Sequence, residues 1–300
     1  MPTWNQINAE IDAQNEQNAC DLTRKKYLGE LSSLRGRPAI AYYSGFLQKK
    51  LHDGRAHPEV AISDHDMNGF MAAVNGLPRD QGLDLILHTP GGDIEATRAL
   101  VEYLYQMFGK DITVIVPQIA MSAGTMIACS AKEIIMGKQS CLGPTDPHFN
   151  GLPAMGILAE VDRAIQEIKQ EPLKQIIWQQ VFAKYPPAFI LNCERAVAGA
   201  RAMVKEWLKN NMLRSSVDPE HCSEQTITNL MDYDRTSGHN HHFLLNKCKA
   251  MGLTIVELEN NQRLQDAVLS VHHSFMAAFT RTNAIKLVEN NQGSSWIVGT

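Results

Sequence analysis

Short apolar runs alternate with segments of helical spacing along the first half of the chain. The runs Leu83–His88, Ile112–Val116, Glu133–Met136 and 39–43 have the length and the branched side chains of buried strands. Between them, residues 96–108 repeat apolar side chains at three- and four-residue intervals, which predicts a helix. Strands that alternate with helices indicate an α/β fold built from βα units.

Interruptions of this pattern divide the chain into three parts. Residues 1–35 are polar with a loose helical stripe, so we expect an N-terminal arm of the kind that often packs on another subunit. Residues 36–185 hold the alternation of strands and helices and form the predicted core. Two prolines at 186 and 187 mark the next break, and residues 186–300 are predicted to be a mostly helical C-terminal region.

Single residues predict further local details. Ser63 is suited to cap the helix that follows it. Pro172 should kink or divide the helical segment 154–182. Residues 137–153, rich in glycine and proline, are expected to be mostly loop, as are the polar residues 215–223.

Composition narrows the classes of function. The net charge is −4 and acidic and basic residues are interleaved, which disfavours a nucleic-acid footprint or a membrane-surface patch. The apolar runs are too short to span a bilayer, and the polar N-terminus does not resemble a signal peptide. Six scattered cysteines without a CxxC pair argue against a zinc ribbon or redox motif and suit a reducing compartment. We therefore expect a cytoplasmic protein without a metal or cofactor.

Two turns that follow predicted strands carry the candidate chemistry. In HTPGGD, 88–93, Gly91 and Gly92 permit a sharp turn whose N–H groups face a ligand without an obstructing Cβ. In AMSAGT, 120–125, Ser122 lies between small neighbours at the expected start of a helix, where the N–H of Ala123 adds a second donor. Either turn alone fits an ordinary strand-to-helix connection or N-cap. Together they predict an oxyanion hole beside a nucleophilic serine.

A nucleophilic serine needs a base, and the sequence offers three. His148 lies in the loop after the serine-bearing helix with Asp146 two residues away, which would suit a serine-histidine-acid set. Lys169 and Lys174 lie on the next helical segment, and a lysine desolvated beside a serine can also act as the base. These alternatives remain open at this point.

The other histidines suggest structural roles. The histidine-rich turn at 239–242 lacks nearby cysteine ligands, so capping or core contacts are favoured there over a metal. Of the pair His272 and His273, one is expected to be buried and the other exposed. His88, at a strand end, is expected to brace the adjacent turns.

Three segments resemble the serine dehydrogenase proteinase family, which belongs with the signal peptide peptidase A-like and Clp protease-like serine peptidases of the crotonase superfamily. They are LDLILHTPGGD at 83–93, VPQIAMSAGTMIA at 116–128 and MGKQSCLGPTDP at 136–147, and the resemblance extends over roughly residues 35–295. It implies a ClpP/crotonase-like spiral of ββα units, with residues 36–185 as the catalytic core. It also implies a peptide or protein substrate and a homo-oligomer based on trimers or rings.

The resemblance assigns roles to residues of the two turns. It implies Ser122 as nucleophile and Gly92 and Ala123 as oxyanion donors, with Gly91 shaping the turn. Signal peptide peptidase A-like enzymes use a serine-lysine dyad, for which Lys174 has the best spacing and Lys169 the next best. Clp-type relatives use a histidine in the loop after the nucleophile helix, and His148 lies three positions beyond the aligned place.

The predicted function is that of an ATP-independent serine peptidase that acts on peptides or unfolded segments through an acyl-enzyme. A catalytically inactive peptide-binding or assembly module is the alternative, because no third catalytic residue is unambiguous. Acyl-CoA chemistry of the crotonase type needs no serine at position 122, so the MSAG context counts against it.

Overall fold

A seven-stranded mixed sheet organises the chain in the computed structural model, which describes residues 3–14, 16–149, 151–232 and 241–299. The strands are β1 (Ala39–Ser44), β2 (Leu83–His88), β3 (Ile112–Val116), β4 (Ile119–Ala120), β5 (Glu133–Met136), β6 (Cys141–Leu142), β7 (His148–Phe149), β8 (Leu152–Pro153), β9 (Phe243–Leu244), β10 (Ile255–Glu257), β11 (Ala284–Asn290) and β12 (Ser295–Gly299). The helices are α1 (Trp4–Gln14), α2 (Ala19–Arg35), α3 (Asp66–Val74), α4 (Ile94–Phe108), α5 (Ala123–Ser130), α6 (Ala154–Gln170), α7 (Gln175–Phe182), α8 (Phe189–Asn210), α9 (Pro219–Leu230), α10 (Leu245–Ala250) and α11 (Gln262–Arg281).

The main sheet has the strand order β10-β5-β3-β2-β1-β11-β12. The first five of these strands are mutually parallel, whereas β11 runs antiparallel to β1 and β12 antiparallel to β11. A three-stranded sheet, β4-β6-β9, and a hairpin of β7 and β8 flank it. All four strands predicted from the apolar runs are present, within one residue of their predicted ends.

Both faces of the central strands are buried, which explains why their sequences are almost continuously apolar. Leu85 and Leu87 of β2 point into a core formed with helices that include α3, α4 and α5. Ile86, between them, points into a second core with α2 and α11. This alternation follows from the two-residue period of a strand.

The N-terminal arm packs within its own chain. Ile7, Leu28 and Leu31 are fully buried in the core that includes α11. Arg24, also buried, forms an ion pair of 2.9 Å with Glu289 of β11. These contacts lie within one chain, and packing of the arm on another subunit stays a prediction.

The C-terminal region is mostly helical, as predicted, but it also supplies three strands to the main sheet. β10 extends one edge, and β11 and β12 form the other. The sequence pattern does not predict β11 as a buried strand, because it contains Lys286 and Glu289, charged residues that usually lie in solvent. Both are fully buried here, and each pairs with an opposite charge from a distant segment.

Three local predictions have different outcomes. Pro172 does divide the helical segment, since α6 ends at Gln170 and a single 3₁₀ turn precedes α7. Ser63 does not cap α3; its backbone N–H instead donates to Asp66 Oδ2 at 3.0 Å. The polar loop predicted at 215–223 ends earlier than expected, because the side chain of Asp218 caps α9 by accepting from the His221 N–H. No helix within the described ranges is long and apolar enough to cross a membrane.

Candidate active site

The two turns singled out in the sequence lie against each other. The Thr89 N–H donates to the Ile119 carbonyl at 3.1 Å, and the Met121 N–H donates to the Thr89 carbonyl at 3.0 Å. A Cβ on Gly124 would lie 2.5 Å from the Thr89 methyl group, so only glycine permits this approach. Residues at the end of β2 therefore fix the start of α5, and the sequence-based expectation of adjacent turns is confirmed.

Ser122 has an unusual backbone conformation between β4 and α5. Its φ is 52° and its ψ is −118°, a region that non-glycine residues rarely adopt and that costs about 1–3 kcal/mol. Although Ser122 precedes α5, its side chain makes no capping hydrogen bond to the helix. The purely structural interpretation of this serine as an N-cap is therefore wrong. Thr125 Oγ1 stabilises the turn by donating to the Ala120 carbonyl at 2.8 Å.

The glycine pair lies directly against the serine. Gly91 has a φ of 101°, and a Cβ there would lie 2.7 Å from the Ser122 Cβ and 2.8 Å from the Met121 carbonyl oxygen. A Cβ on Gly92 would overlap the backbone of Ile62. Both positions require glycine, because Gly91 closely approaches Ser122 and Gly92 closely approaches the backbone of Ile62.

Ile62 determines which amide of the glycine turn remains available. Its N–H donates to the Gly91 carbonyl at 2.8 Å, and its carbonyl accepts from the Asp93 N–H at 2.9 Å. The intervening Gly92 N–H is left without an acceptor among the described residues, as is that of Ala123. Two N–H groups beside Ser122 are thus free to bind a negatively charged oxygen.

The positive end of a helix reinforces this site. Ala123 is the first residue of α5, so the partial charge of that helix N-terminus adds to its N–H group. In combination with the Gly92 N–H, this arrangement suits the oxyanion that forms when a serine attacks an acyl carbon.

His148 and Asp146 line the same cleft as Ser122 and Gly92, a cavity of about 340 Å³. Asp146 is nearly fully buried, with 3% of its side chain exposed, and its Oδ2 lies 3.6 Å from Nε2 of His148. The backbone N–H of Ala154 donates to the Pro147 carbonyl at 2.8 Å, which ties this loop to α6. The loop thus brings an acid-imidazole pair to the serine cleft, as the sequence allowed.

The two candidate lysines lie elsewhere in the described chain. Lys174 is in the 3₁₀ turn before α7, 37% exposed, with its Nζ 3.6 Å from Glu167 and 3.7 Å from Glu171. Lys169 is exposed in the last turn of α6. Neither lines the Ser122 cleft. Each therefore lacks the buried surroundings in which a lysine becomes a base.

His88 is completely buried among aromatic rings. Its ring centroid lies 4.9 Å from that of Phe46, 5.5 Å from Tyr43 and 5.3 Å from His272. Neither ring nitrogen has a hydrogen-bond partner in the described part of the chain, and burial lowers the pKa of His88 to about 3. It packs as a neutral apolar ring directly before the glycine turn.

The burial of the remaining histidines agrees in part with the structural roles predicted from the sequence. His272 is buried and His273 is half-buried, close to the predicted pairing of one buried and one exposed ring. Of the histidine-rich turn, His239 lies outside the described residues, while His241 and His242 are exposed.

Sequence reasoning missed one wall of the cleft. Four residues on consecutive turns of α8 line it: Arg195, Ala196, Gly199 and Ala200. No local motif marks them, since an arginine and small residues on a helix are typical of any surface. Their position follows only from the packing of α8 on α5 and α6.

Comparison with known proteins fits this geometry. The family described as ClpP-like SDH-type serine proteinase matches residues 20–185. Two uncharacterized proteins of Methanocaldococcus jannaschii are similar to the chain. One is 33% identical over 150 residues, which are 50% of this chain and 51% of the relative. The other is 38% identical over 112 residues, 37% of this chain and 38% of the relative.

The chain thus spans about half or less of the length of these curated relatives. The family match, by contrast, covers more than half of the 300 residues and includes both turns and the His148 loop. The ClpP-like fold expected from the sequence is confirmed by that match and by the mixed α/β architecture. The chain belongs to the ClpP-like SDH-type serine proteinase family.

Proposed function

We propose that the protein is an ATP-independent serine peptidase that hydrolyses peptides or unfolded segments through an acyl-enzyme on Ser122. One observation carries the proposal: Ser122 has a strained positive φ, directly beside the N–H groups of Gly92 and Ala123, which have no acceptor among the described residues. Two donors beside a hydroxyl suit the oxyanion of acyl transfer, and strained backbone is typical of functional sites.

In this mechanism the Ser122 hydroxyl attacks the carbonyl carbon of the scissile peptide bond. His148 accepts the hydroxyl proton, and the Gly92 and Ala123 N–H groups bind the resulting oxyanion. The intermediate collapses to the acyl-enzyme as His148 protonates the leaving amine. Water, deprotonated by His148, then attacks the ester and releases the acid and the free serine.

Asp146 is proposed to orient His148 and to stabilise its protonated form. Support comes from the 3.6 Å contact between Asp146 Oδ2 and His148 Nε2. The Ser122 hydroxyl makes no hydrogen bond to any described residue, so the serine and the imidazole must align when substrate binds. Such tightening on substrate binding is common among catalytic hydrogen bonds.

Labelling with a fluorophosphonate followed by mass spectrometry tests the nucleophile. We expect an adduct on Ser122 that is absent in Ser122→Ala. An unlabelled wild-type protein, or unchanged hydrolysis by Ser122→Ala, would contradict the proposal.

The same assay separates the candidate bases. His148→Ala should slow acylation by 10²-fold or more, whereas Lys174→Ala and Lys169→Ala should acylate at the wild-type rate, because neither lysine lines the cleft. The reverse pattern would establish a serine-lysine dyad, with Gly92 and Ala123 keeping their roles.

We also propose that the enzyme functions as a homo-oligomer in a reducing, cytoplasmic environment. Helix α7 has no buried residue, and Leu173, Ile176 and Ile177 are 74%, 64% and 64% exposed. A patch of this kind is typical of a protein-protein contact. The six cysteines are all free thiols, four of them buried, which supports a reducing compartment.

A peptide-binding module without turnover is the second candidate. The lack of a hydrogen bond between Ser122 and a described base favours it. Under this alternative, the purified protein would bind peptides in the Ser122 cleft but would not hydrolyse them at any pH.

A further inference from the structure

Arg195 is a cation in the Ser122 cleft without a counterion among the described residues. Its side chain is exposed at the first third of α8, and it lines the cavity together with Ser122 and Gly92. Within the described ranges, no carboxylate lies within 4.0 Å of its guanidinium group, and it donates no hydrogen bond to the protein. Its charge is therefore available to a ligand in the cleft.

The carboxylates that line the same cleft are already occupied. Asp93 Oδ1 caps α4 by accepting from the Ala96 N–H at 2.8 Å. Glu95 lies 3.4 Å from the guanidinium of Arg98, and Asp146 pairs with His148. Arg195 consequently differs from these acidic groups in having no partner in the part of the chain that the structure describes.

The backbone adds positive potential to the same cavity. The N-terminus of α5, directly after Ser122, carries the partial positive charge of a helix start, whereas that of α4 is already capped by the Asp93 carboxylate. The α5 N-terminus serves the reacting oxyanion. Arg195, which reaches the cavity from α8, offers a second group that can bind an anion.

The wall around Arg195 leaves room for a side chain of the substrate. Ala196 and Ala200 are small, and a Cβ added to Gly199 would meet no atom within 4 Å. A chain that enters the cleft can therefore reach the guanidinium without displacing protein atoms.

From these contacts we infer that Arg195 binds a carboxylate of the substrate in the Ser122 cleft, so that the enzyme selects peptides that place a carboxylate there. The carboxylate comes either from an aspartate or glutamate side chain or from the C-terminus of the peptide. Guanidinium and carboxylate groups form paired, charge-assisted hydrogen bonds, which makes arginine the suitable residue. The inference rests on the proposed function and adds the substrate class.

Binding to the Ser122→Ala variant tests this inference independently of turnover. The probes are fluorescein-labelled hexapeptides that are identical except for a central Glu, Gln or Lys, each with a free or an amidated C-terminus. We expect the Glu peptide to bind about tenfold more tightly than the Gln peptide, as measured by fluorescence anisotropy. Introducing Arg195→Gln should abolish this preference.

Arg201→Gln is the matched control. Arg201 lies on the same helix and loses the same charge, but it pairs with Glu224 outside the cleft, so its variant should retain the preference for Glu. A preference that follows the free C-terminus rather than the central Glu would identify the terminal carboxylate as the ligand.

Equal binding of the Glu, Gln and Lys peptides with either C-terminus, or a preference unchanged by Arg195→Gln, would overturn the inference. Fluorophosphonate labelling keeps the two hypotheses apart. If Ser122 is labelled normally in Arg195→Gln and the acidic preference is absent in wild type, only the substrate class is wrong. If Ser122 is never labelled but Arg195 selects acidic peptides, the protein is a binding module for acidic chains.

Discussion

Lys286 Nζ lies 2.7 Å from Asp66 Oδ1 in the interior, and this ion pair connects β11 to the oxyanion turn. Lys286 also donates to the Ala61 carbonyl at 2.7 Å, and Tyr42 Oη donates to Asp66 Oδ2 at 2.8 Å. Both contacts fix the segment that presents Ile62 to the glycine pair. A charge near the C-terminus of the chain thus helps to hold the donor group of Gly92 in place.

Replacement of Lys286 by methionine should lower the free energy of unfolding by about 3–5 kcal/mol, because Asp66 would remain buried without its countercharge. Urea denaturation monitored by circular dichroism measures the change. Lys249→Met, which breaks an exposed pair with Glu257, serves as the control and should cost less than about 1 kcal/mol. Similar losses in the two variants would contradict a special role for the buried pair.

Gly91→Ala should abolish acylation of Ser122, since the new Cβ would lie 2.7 Å from the Ser122 Cβ. We expect a loss of 10²-fold or more in the rate of fluorophosphonate labelling. Gly109→Ala separates this contact from backbone strain: Gly109 also has a positive φ, 67°, but a Cβ there meets nothing within 4 Å. That control should lose some stability and keep the wild-type labelling rate; equal labelling by both variants would show that the contact is unimportant.

His88→Phe should make the protein more resistant to acid. Burial lowers the pKa of His88 to about 3, so below its ordinary pKa of about 6.5 the unfolded chain binds a proton that the folded chain does not. Stability contributed by the neutral ring is present above pH 6.5 and is lost as the pH falls toward 3, by up to about 1.4 kcal/mol per pH unit. The pKa of His272 is lowered in the same direction by burial and by His88.

The measurement is the free energy of unfolding between pH 7 and pH 4. Phenylalanine fits an aromatic site where His88 makes no hydrogen bond to a described residue, so His88→Phe should flatten the decline without a loss at pH 7. The same substitution at exposed His52 should leave the slope unchanged. A slope unaltered in His88→Phe would mean that the ring is already accessible to protons.

Simultaneous replacement of Ile176 and Ile177 by glutamine should weaken self-association. Each side chain is 64% exposed, so the double variant should fold normally but bury less apolar area between subunits. Sedimentation velocity at several concentrations would show a shift toward smaller species. Val217→Gln, at a fully exposed isolated position, should leave the distribution unchanged. An unaltered distribution in the double variant would exclude this surface from the interface.

Local signals explain what could be predicted from the chain. The buried strands were recognisable because apolar side chains must fill both faces of a covered sheet. The chemistry of the glycine turn and Ser122 was recognisable because close approach of backbone and hydroxyl requires small residues at fixed positions. β11 could not be predicted, because Lys286 and Glu289 are buried only where oppositely charged partners more than 200 residues away pair with them.

The sequence by itself thus determined the α/β class, and it located the two turns to which the proposed nucleophile and oxyanion donors belong, since each depends on residues adjacent in the chain. Only the tertiary structure decided which candidate base lies in the serine cleft and that Arg195 faces it from α8. His148, Lys169 and Lys174 all follow Ser122 in the chain, and packing decides which of them lies in its cleft. Burial of one side chain and exposure of another depend on contacts between distant segments, which no local pattern encodes.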